Sequence, residues 1–325
     1  MQSTKFMRAA VGAVLALGFA ATSFAQDAWP TRPIKIIVPF PAGGSSEKPI
    51  RALAPHLEKI LGQSVVVENI GGGGGTLGTA RLAQEKPDGY SFVMGAVGTL
   101  CIAPHLYSKL GYDPFTSFTP VAQISEYANV LIVNANEPYK TVEDLLDAAR
   151  KNPGAIDFGS SGNGSSNHLS AELLASKADV KFSHVPYRGT GPALTDLLAG
   201  RIPFMFDVVN NPMAWIKEGK VRALGVTSTT RWPSLPDVPP ISDTVPDYEV
   251  LGWLAMIAPA GLPQPIVDKM GSALKQALET PELAEQYENF GFPAKYADAK
   301  ALATLIRKDH ELWGPVVEAS GAKVD

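Results

Sequence analysis

Short runs of β-branched and aromatic residues alternate with stretches of helical period along nearly the whole chain. Ile34-Lys35-Ile36-Ile37-Val38 predicts a buried strand, and the segment after it places Ile50, Leu53, Leu57, Ile60 and Leu61 on one helical face. Further strands are predicted at Val65–Val67, Phe92–Met94, Val130–Val133, Phe204–Phe206, Leu224–Val226 and Leu254–Ile257. Helical patterns fall near 141–151, 166–177, 192–199 and 213–218. Strands separated by helices imply βαβ units, with mostly parallel sheets covered on both faces. The last third, 264–279, 281–290 and 298–319, reads as helical with little strand.

The pattern stops and restarts once. One sheet is expected to finish around Val121–Ile124 and a second to begin at Val130 and run through Val226. The Pro-rich stretch Trp232–Pro240 follows, and Leu254–Ile257 would return the chain to the first unit. The expected architecture is therefore α/β with two lobes. Residues 26–127 and 251–325 would form lobe 1 and 128–250 lobe 2, joined by a hinge that the chain crosses twice.

The N-terminus changes where such a protein would work. Lys5 and Arg8 precede an apolar run from Ala9 to Ala21, and Ser23-Phe24-Ala25 is a small-x-small cleavage site. That run is short for a bilayer span and lacks stop-transfer charges, so 1–25 reads as a signal peptide rather than a membrane anchor. Gln26 would then begin a secreted chain. Cys101 is the only cysteine, so neither a lipid anchor after the cleavage site nor an intrachain disulfide is available. Without Lys5 and Arg8 the 28 basic residues become 26 against 32 acidic ones, a net charge near −6. That balance argues against nucleic acid or an anionic membrane surface as partner, but leaves room for a small anion held by local geometry.

Three loop-to-helix junctions carry the candidate chemistry. They are Pro39-Phe40-Pro41-Ala42-Gly43-Gly44-Ser45-Ser46, Gly159-Ser160-Ser161-Gly162-Asn163-Gly164-Ser165-Ser166, and Tyr187-Arg188-Gly189-Thr190-Gly191-Pro192. Glycines let backbone N–H groups approach a ligand, serines cap the following helix, and each helix start presents unpaired donors to an anion. One such junction is most simply a tight turn; three in one signal-bearing chain favour a carboxylate site. Asp207 ends the strand Phe204–Phe206, where it either faces the ligand crevice or caps the segment from Asn210. His168, in the first turn after the Gly/Ser loop, either touches the ligand or caps.

Other chemistries find little support. Gly73-x-Gly75-x-x-Gly78 matches the dinucleotide fingerprint, yet Met94–Gly98 supplies no acidic residue for a ribose, and a flexible turn explains the glycines. There is no G-x-S-x-G elbow, no H-E-x-x-H and no Walker sequence. The five histidines are too scattered to suggest a metal, and no cofactor is implied.

Several stretches together resemble the Bug family, the solute-binding receptors of tripartite tricarboxylate transporters. They are Arg32–Gly44, Pro87-Asp88-Gly89-Tyr90, Phe158–Ser166, His184–Gly189, Met205-Phe206-Asp207, Leu235–Pro239 and Ala258-Pro259-Ala260-Gly261. The resemblance covers the whole mature chain in order. It implies a two-lobe, type II-like periplasmic binding protein, hinge-closing and not an enzyme, that delivers a small carboxylate to a permease with a large and a small subunit. It also implies ligand contacts from Phe40, Ala42, Gly43, Gly44, Ser161, Asn163, Gly164, Ser165, Ser166, Thr190 and Asp207, with Thr99 lining the floor. A monomer suits hinge closure.

Two departures from the family pattern shape the expectations. Ser45-Ser46-Glu47-Lys48-Pro49 replaces the usual Ser-Thr-Asp and helix former, and Pro55 should bend or break the helix it sits in. Leu100 and Ala103 stand where the family often has His and Asn. A less polar floor beside Phe40, Phe206, Tyr127 and Trp253 would suit an aromatic dicarboxylate such as terephthalate, as well as smaller aliphatic acids. The rival readings are a secreted hydrolase using Ser161 or Ser165 with His168 and Asp207, and a receptor reporting to a membrane sensor.

Overall fold

The computed structural model describes residues 29–43 and 47–324. The expected signal peptide, and Gly44, Ser45 and Ser46 of the first junction, lie outside the described residues.

Strand β1 (Ile34–Val38) is buried at every position but Lys35. It pairs in parallel with β2 (Val65–Asn69) and β3 (Ser91–Ala96). Helix α1 (Glu47–Leu61) buries Ile50, Leu53, Ala54, Leu57 and Leu61 as the spacing predicts. Pro55 lies inside α1 and does not break it. The proline is on the exposed side, and burial of the opposite face holds the helix across the missing hydrogen bond. Pro55→Ala would restore an N–H to that turn and should stabilise the protein by about 1–3 kcal/mol. A higher midpoint in denaturant is expected; an unchanged one would mean the turn loses nothing to the proline.

The first sheet is completed by β4 (Phe118–Asn134), β9 (Leu251–Pro259) and β10 (Ala294–Asp298), in the order β2-β1-β3-β9-β4, with β10 on the first half of β4. The second sheet has β5 (Asp157–Ser160), β6 (Ser183–Pro186), β7 (Phe204–Val208) and β8 (Val221–Val226) around the second half of β4. The expected break between Ile124 and Val130 is therefore absent. A single 17-residue strand serves both sheets. Ser125, Ala128 and Asn129 read as an interruption because they are small or polar, yet all three are buried.

Each sheet is mixed rather than mostly parallel. The sets β2-β1-β3 and β6-β5-β7 are parallel, but every pairing of β4 or β9 is antiparallel. Alternation of strands with helices reports βαβ units and is silent about the direction in which long crossing strands return. The four-residue β5 and β6 are too short to stand out in the pattern, and β10 has no buried residue to mark it.

These directions position the site. Strands β1–β3 run the same way as β4, toward the second sheet, because β9 lies antiparallel between them. Strands β5–β7 run back toward the first sheet, because β7 is antiparallel to β4. The C-terminal ends of the two parallel sets, where open α/β sheets take their ligands, thus face each other. On one side the lobes share packing. The long C-terminal helix α10 (Ala299–Ser320), which follows α8 (Gln264–Leu278) and α9 (Pro281–Phe290), lies against both β4 and α5 (Ser166–Ala178). Among the described residues no helix is long and apolar enough to cross a membrane.

Candidate ligand-binding cleft

The loop after β5 turns through Gly162 and Gly164, at φ +127° and +73°, and enters α5. Ser165 caps that helix: its Oγ accepts from His168 N–H at 3.2 Å and donates to the Gly162 carbonyl at 2.7 Å. The amides of Ser166 and Asn167, in the first turn, have no upstream carbonyl to bond. Ser161 Oγ donates to Asn167 Oδ1 at 2.7 Å, and Asn167 Nδ2 donates to the Phe206 carbonyl at 2.8 Å. Asn167 thereby ties the loop to the end of β7. Asn163 is exposed, Gly164 is buried, and Ser161, Ser165 and Ser166 are half-buried.

The third junction sits beside this loop, because Gly189 N–H donates to the Ser161 carbonyl at 3.2 Å. Helix α6 (Thr190–Leu198) begins there with Gly189 as cap, at φ +106°, and no side chain caps it. Thr190 is half-buried. Two uncapped or partly capped helix starts thus open onto one edge, which is the arrangement an anion needs.

Asp207 lies fully buried near the end of β7. Its Oδ1 accepts from Val208 N–H at 2.7 Å and Asn211 Nδ2 at 3.0 Å, while Oδ2 has no hydrogen-bond partner. Burial pushes its pKa up to about 7, against the opposing pull of Asn211, the Val208 amide and Asn167.

In the first lobe the Phe40 ring and the Thr99 methyl both lie against Gly75; a Cβ there would come within 3.2 Å of the ring and 2.8 Å of the methyl. Gly72 to Gly75 all have positive φ, so the glycine run is a specific left-handed turn leading into α2 (Thr76–Ala83) rather than the flexible one expected. Thr99 is fully buried, and its Oγ1 bonds Ala96 N–H at 3.3 Å and the Ala96 carbonyl at 3.1 Å. Ala42 and Gly43 are exposed. Gly43 N–H is already engaged by the buried Glu47 carboxylate at 2.5 Å. Glu47 also pairs with Arg51, whose Nη2 donates to Asn69 Oδ1 at 3.0 Å, and Asn69 Nδ2 donates to the Phe40 carbonyl at 3.1 Å. The Gly43 amide and then Arg51 hold the Glu47 carboxyl below its usual range. Sequence reasoning saw the departure at Glu47 without seeing that it braces the loop.

The two lobes meet across this region. Gly164 abuts Ile102 and Leu106, just before and at the end of α3 (Ala103–Leu106), and Tyr127 lies beside Ser166. Leu100, Ala103, Phe206 and Trp253 are core residues: Leu100 packs over Gly95, and Trp253 Nε1 donates to Asp309 Oδ2 at 2.6 Å. Of the aromatic neighbours expected around a ligand, only Phe40 and Tyr127 stay near the facing edges. A cavity of about 160 Å³ lies at the strand crossing, between β4, the run Glu249–Trp253 and α10; of the residues the sequence placed near a ligand, Trp253 alone lines it.

A sequence profile described as tripartite tricarboxylate transporter family receptor matches residues 50–322. The chain belongs to that family. Solved structures agree. Periplasmic binding protein BugD is 35% identical, with 91% of this chain and 99% of that one covered and a TM-score of 0.78. Rpa4515 of R. palustris, solved with adipate, is 32% identical over 91% and 100% of the two chains, with a TM-score of 0.81. MatC from Rhodopseudomonas palustris, solved with bound malate, is 32% identical over 89% and 100%, with a TM-score of 0.77. The chain is therefore a two-lobe solute-binding receptor of the Bug type, and its relatives are binding proteins rather than enzymes.

The receptor's side chains fit that class. A Ser–His–Asp relay through His168 is not assembled: Ser161 bonds Asn167, Ser165 bonds Gly162, and Asp207 bonds Val208 and Asn211. The serine that does meet a histidine is one the sequence did not single out. Ser160 Oγ lies 2.6 Å from His184 Nε2, but Ser160 is buried, and burial with the neighbouring His168 lowers the His184 pKa to about 3. So weak a base cannot take a hydroxyl proton near neutral pH.

Proposed function

We propose that this receptor closes its two lobes over a small dicarboxylate and delivers it to a tripartite permease with a large and a small subunit. One carboxylate is held by main-chain amides at the starts of α5 and α6, supplemented by the Ser165 and Thr190 hydroxyls. The observation that carries this reading is the Gly189-to-Ser161 bond, which brings two helix N-termini to one edge. Arg188 is the one cationic side chain in the three junction sequences, and it is exposed. Hydrogen bonds to a charged acid are worth about 1.5–3 kcal/mol each, so three or four of them need an apolar contact as well to reach the roughly −8 kcal/mol of a micromolar ligand after association costs.

Phe40, Ala42, Gly43 and Gly44 would cover the ligand from the first lobe, with the hinge at 127/128 and 250/251, where β4 and β9 lie side by side. The signal peptide at 1–25 would send the chain to the periplasm as a monomer. Adipate and malate in relatives support an aliphatic dicarboxylate. Phe40, half-buried beside Gly75, keeps a terephthalate-like acid as the second reading.

Calorimetric titration of the purified protein with adipate, malate and terephthalate tests this. Saturable binding of an aliphatic acid with no terephthalate response is expected; terephthalate alone would select the second reading. The double substitution Ser165→Ala with Thr190→Ala should weaken binding at least about tenfold, and the lost cap should lower stability by only about 1 kcal/mol. Unchanged affinity would move the site away from the helix starts. Recovery of the receptor with a sensor protein, instead of permease subunits, in a pull-down from membranes would redirect the delivery step.

A further inference from the structure

Two imidazoles lie beneath the Gly/Ser loop, and the binding role above gives neither a task. His168 and His184 stack with ring centroids 3.8 Å apart and planes 14° from parallel, and Phe158 lies beside the pair, near-parallel to both, 4.8 Å from His184 and 6.1 Å from His168. Gly164 N–H donates to His168 Nδ1 at 3.1 Å. An amide can only donate, so Nδ1 carries no proton and the ring hydrogen sits on Nε2, 3.5 Å from Glu172 Oε1. On the other ring, His184 Nε2 lies 2.6 Å from Ser160 Oγ, and that hydroxyl accepts from Gly162 N–H at 3.1 Å. Two alternate amides of the loop, at 162 and 164, are therefore drawn onto the stack. The amide of Asn163 between them, and those of Ser166 and Asn167 after them, are left for a ligand.

We infer that His168, backed by His184, is a positioning residue that fixes the peptide planes of the ligand loop without touching the ligand. This rests on the receptor reading above. The chemistry asks for an imidazole. The acceptor under Gly164 has to be uncharged, because a carboxylate there would repel the bound acid. It also has to be flat, to lie on His184 beside Phe158. His168 is 2% exposed, and both its nitrogens face protein groups, which leaves no ring edge for a ligand. Gly164 needs its φ of +73° to turn the N–H downward, and a side chain there would meet Leu106 of the opposing lobe.

His168→Asn retains an uncharged acceptor close to the Nδ1 position, whereas His168→Leu retains bulk alone. In the full chain, the Gly164 amide should exchange slowly with deuterium in the wild type and in His168→Asn, and rapidly in His168→Leu. With adipate and malate as probes, His168→Leu should bind about tenfold more weakly and His168→Asn within about twofold of wild type. NMR of the wild-type imidazole should report the Nε2–H tautomer. Rapid Gly164 exchange in the wild type, or the Nδ1–H tautomer, would overturn the inference. So would an Asn variant as weak as the Leu variant, since the ring would then be touching the ligand. If neither probe binds the wild type, the receptor reading fails for those acids, while Gly164 exchange and the tautomer still decide the supporting role.

Discussion

Gly252→Ala is expected to be among the most damaging single-methyl changes in the receptor, lowering stability by about 3 kcal/mol. Gly252 faces Tyr127 across the two strands that pass between the lobes. The Tyr127 ring lies over the glycine so closely that an added Cβ would fall on the ring carbons and the hydroxyl. The ring has nowhere to retreat. Phe292 stands edge-on to it at 5.0 Å, and Ser166 at the start of α5 lies beside the Tyr127 hydroxyl. A methyl must therefore part β4 from β9 or drive the ring out of the core, and overpacking of a close-packed interior is rarely absorbed without loss. Because the same ring reaches the ligand helix, affinity should fall together with stability.

The control is a double-mutant cycle. Tyr127→Ala loses ring burial on its own, but combined with Gly252→Ala it vacates the space the methyl needs. The two substitutions should therefore be strongly non-additive, with the double variant more stable than their sum predicts. Denaturant midpoints for the four proteins decide it. A Gly252→Ala protein that unfolds like the wild type, or two changes that simply add, would show that the ring moves freely and the strand pair is not braced there.

Much of this molecule is legible in its sequence because burial imposes period. Ile50, Leu53 and Leu57 face the core of α1, and Val65, Phe92, Val130 and Phe204 lie on strands as their neighbours predict. What the pattern hides is continuity and direction. Ser125 to Asn129 carry small and polar side chains inside a buried strand, and no local signal separates that from a linker. The antiparallel return of β9 follows from tertiary pairing alone.

The site divides in the same way. Glycine and serine between a strand and a helix announce the loops at 160–166 and 187–190. Sequence cannot say which of their amides stay free. Gly43 is engaged by Glu47, Gly162 by Ser160 and Gly164 by His168; the sequence singles out His168 and the departure at Glu47, but nothing in it says which amide either one takes. Asn167 and His184 gave no warning either. Their partners, the Phe206 carbonyl and Ser160, come from other strands, and such proximity has no period to betray it.

Asp207→Asn should stabilise the ligand-free receptor at pH 8 and leave it unchanged at pH 4. The wild-type carboxyl has a folded-state pKa of about 7, against the ordinary 3.8, because full burial disfavours its charge. Between about pH 4 and pH 7 the folded form keeps a proton that the unfolded chain has lost. Stability from this group is thus fully present below the unfolded value and declines by up to about 1.4 kcal/mol per pH unit until the folded value is passed. The whole window amounts to a few kcal/mol, a sizeable share of a domain's usual margin of about 5–15 kcal/mol. Asparagine keeps an oxygen for Val208 N–H and Asn211 Nδ2, and puts an N–H where Oδ2 lacks a partner, much as the protonated acid puts an O–H there. The variant therefore mimics the neutral wild type at every pH. Urea unfolding at pH 4, 6 and 8 should show the two proteins together at the acid end and increasingly apart toward the alkaline end, with Asn above Asp. A gap that stays constant with pH would mean that Asp207 is already charged in the folded protein, held by a donor on Oδ2, and that its burial carries no proton.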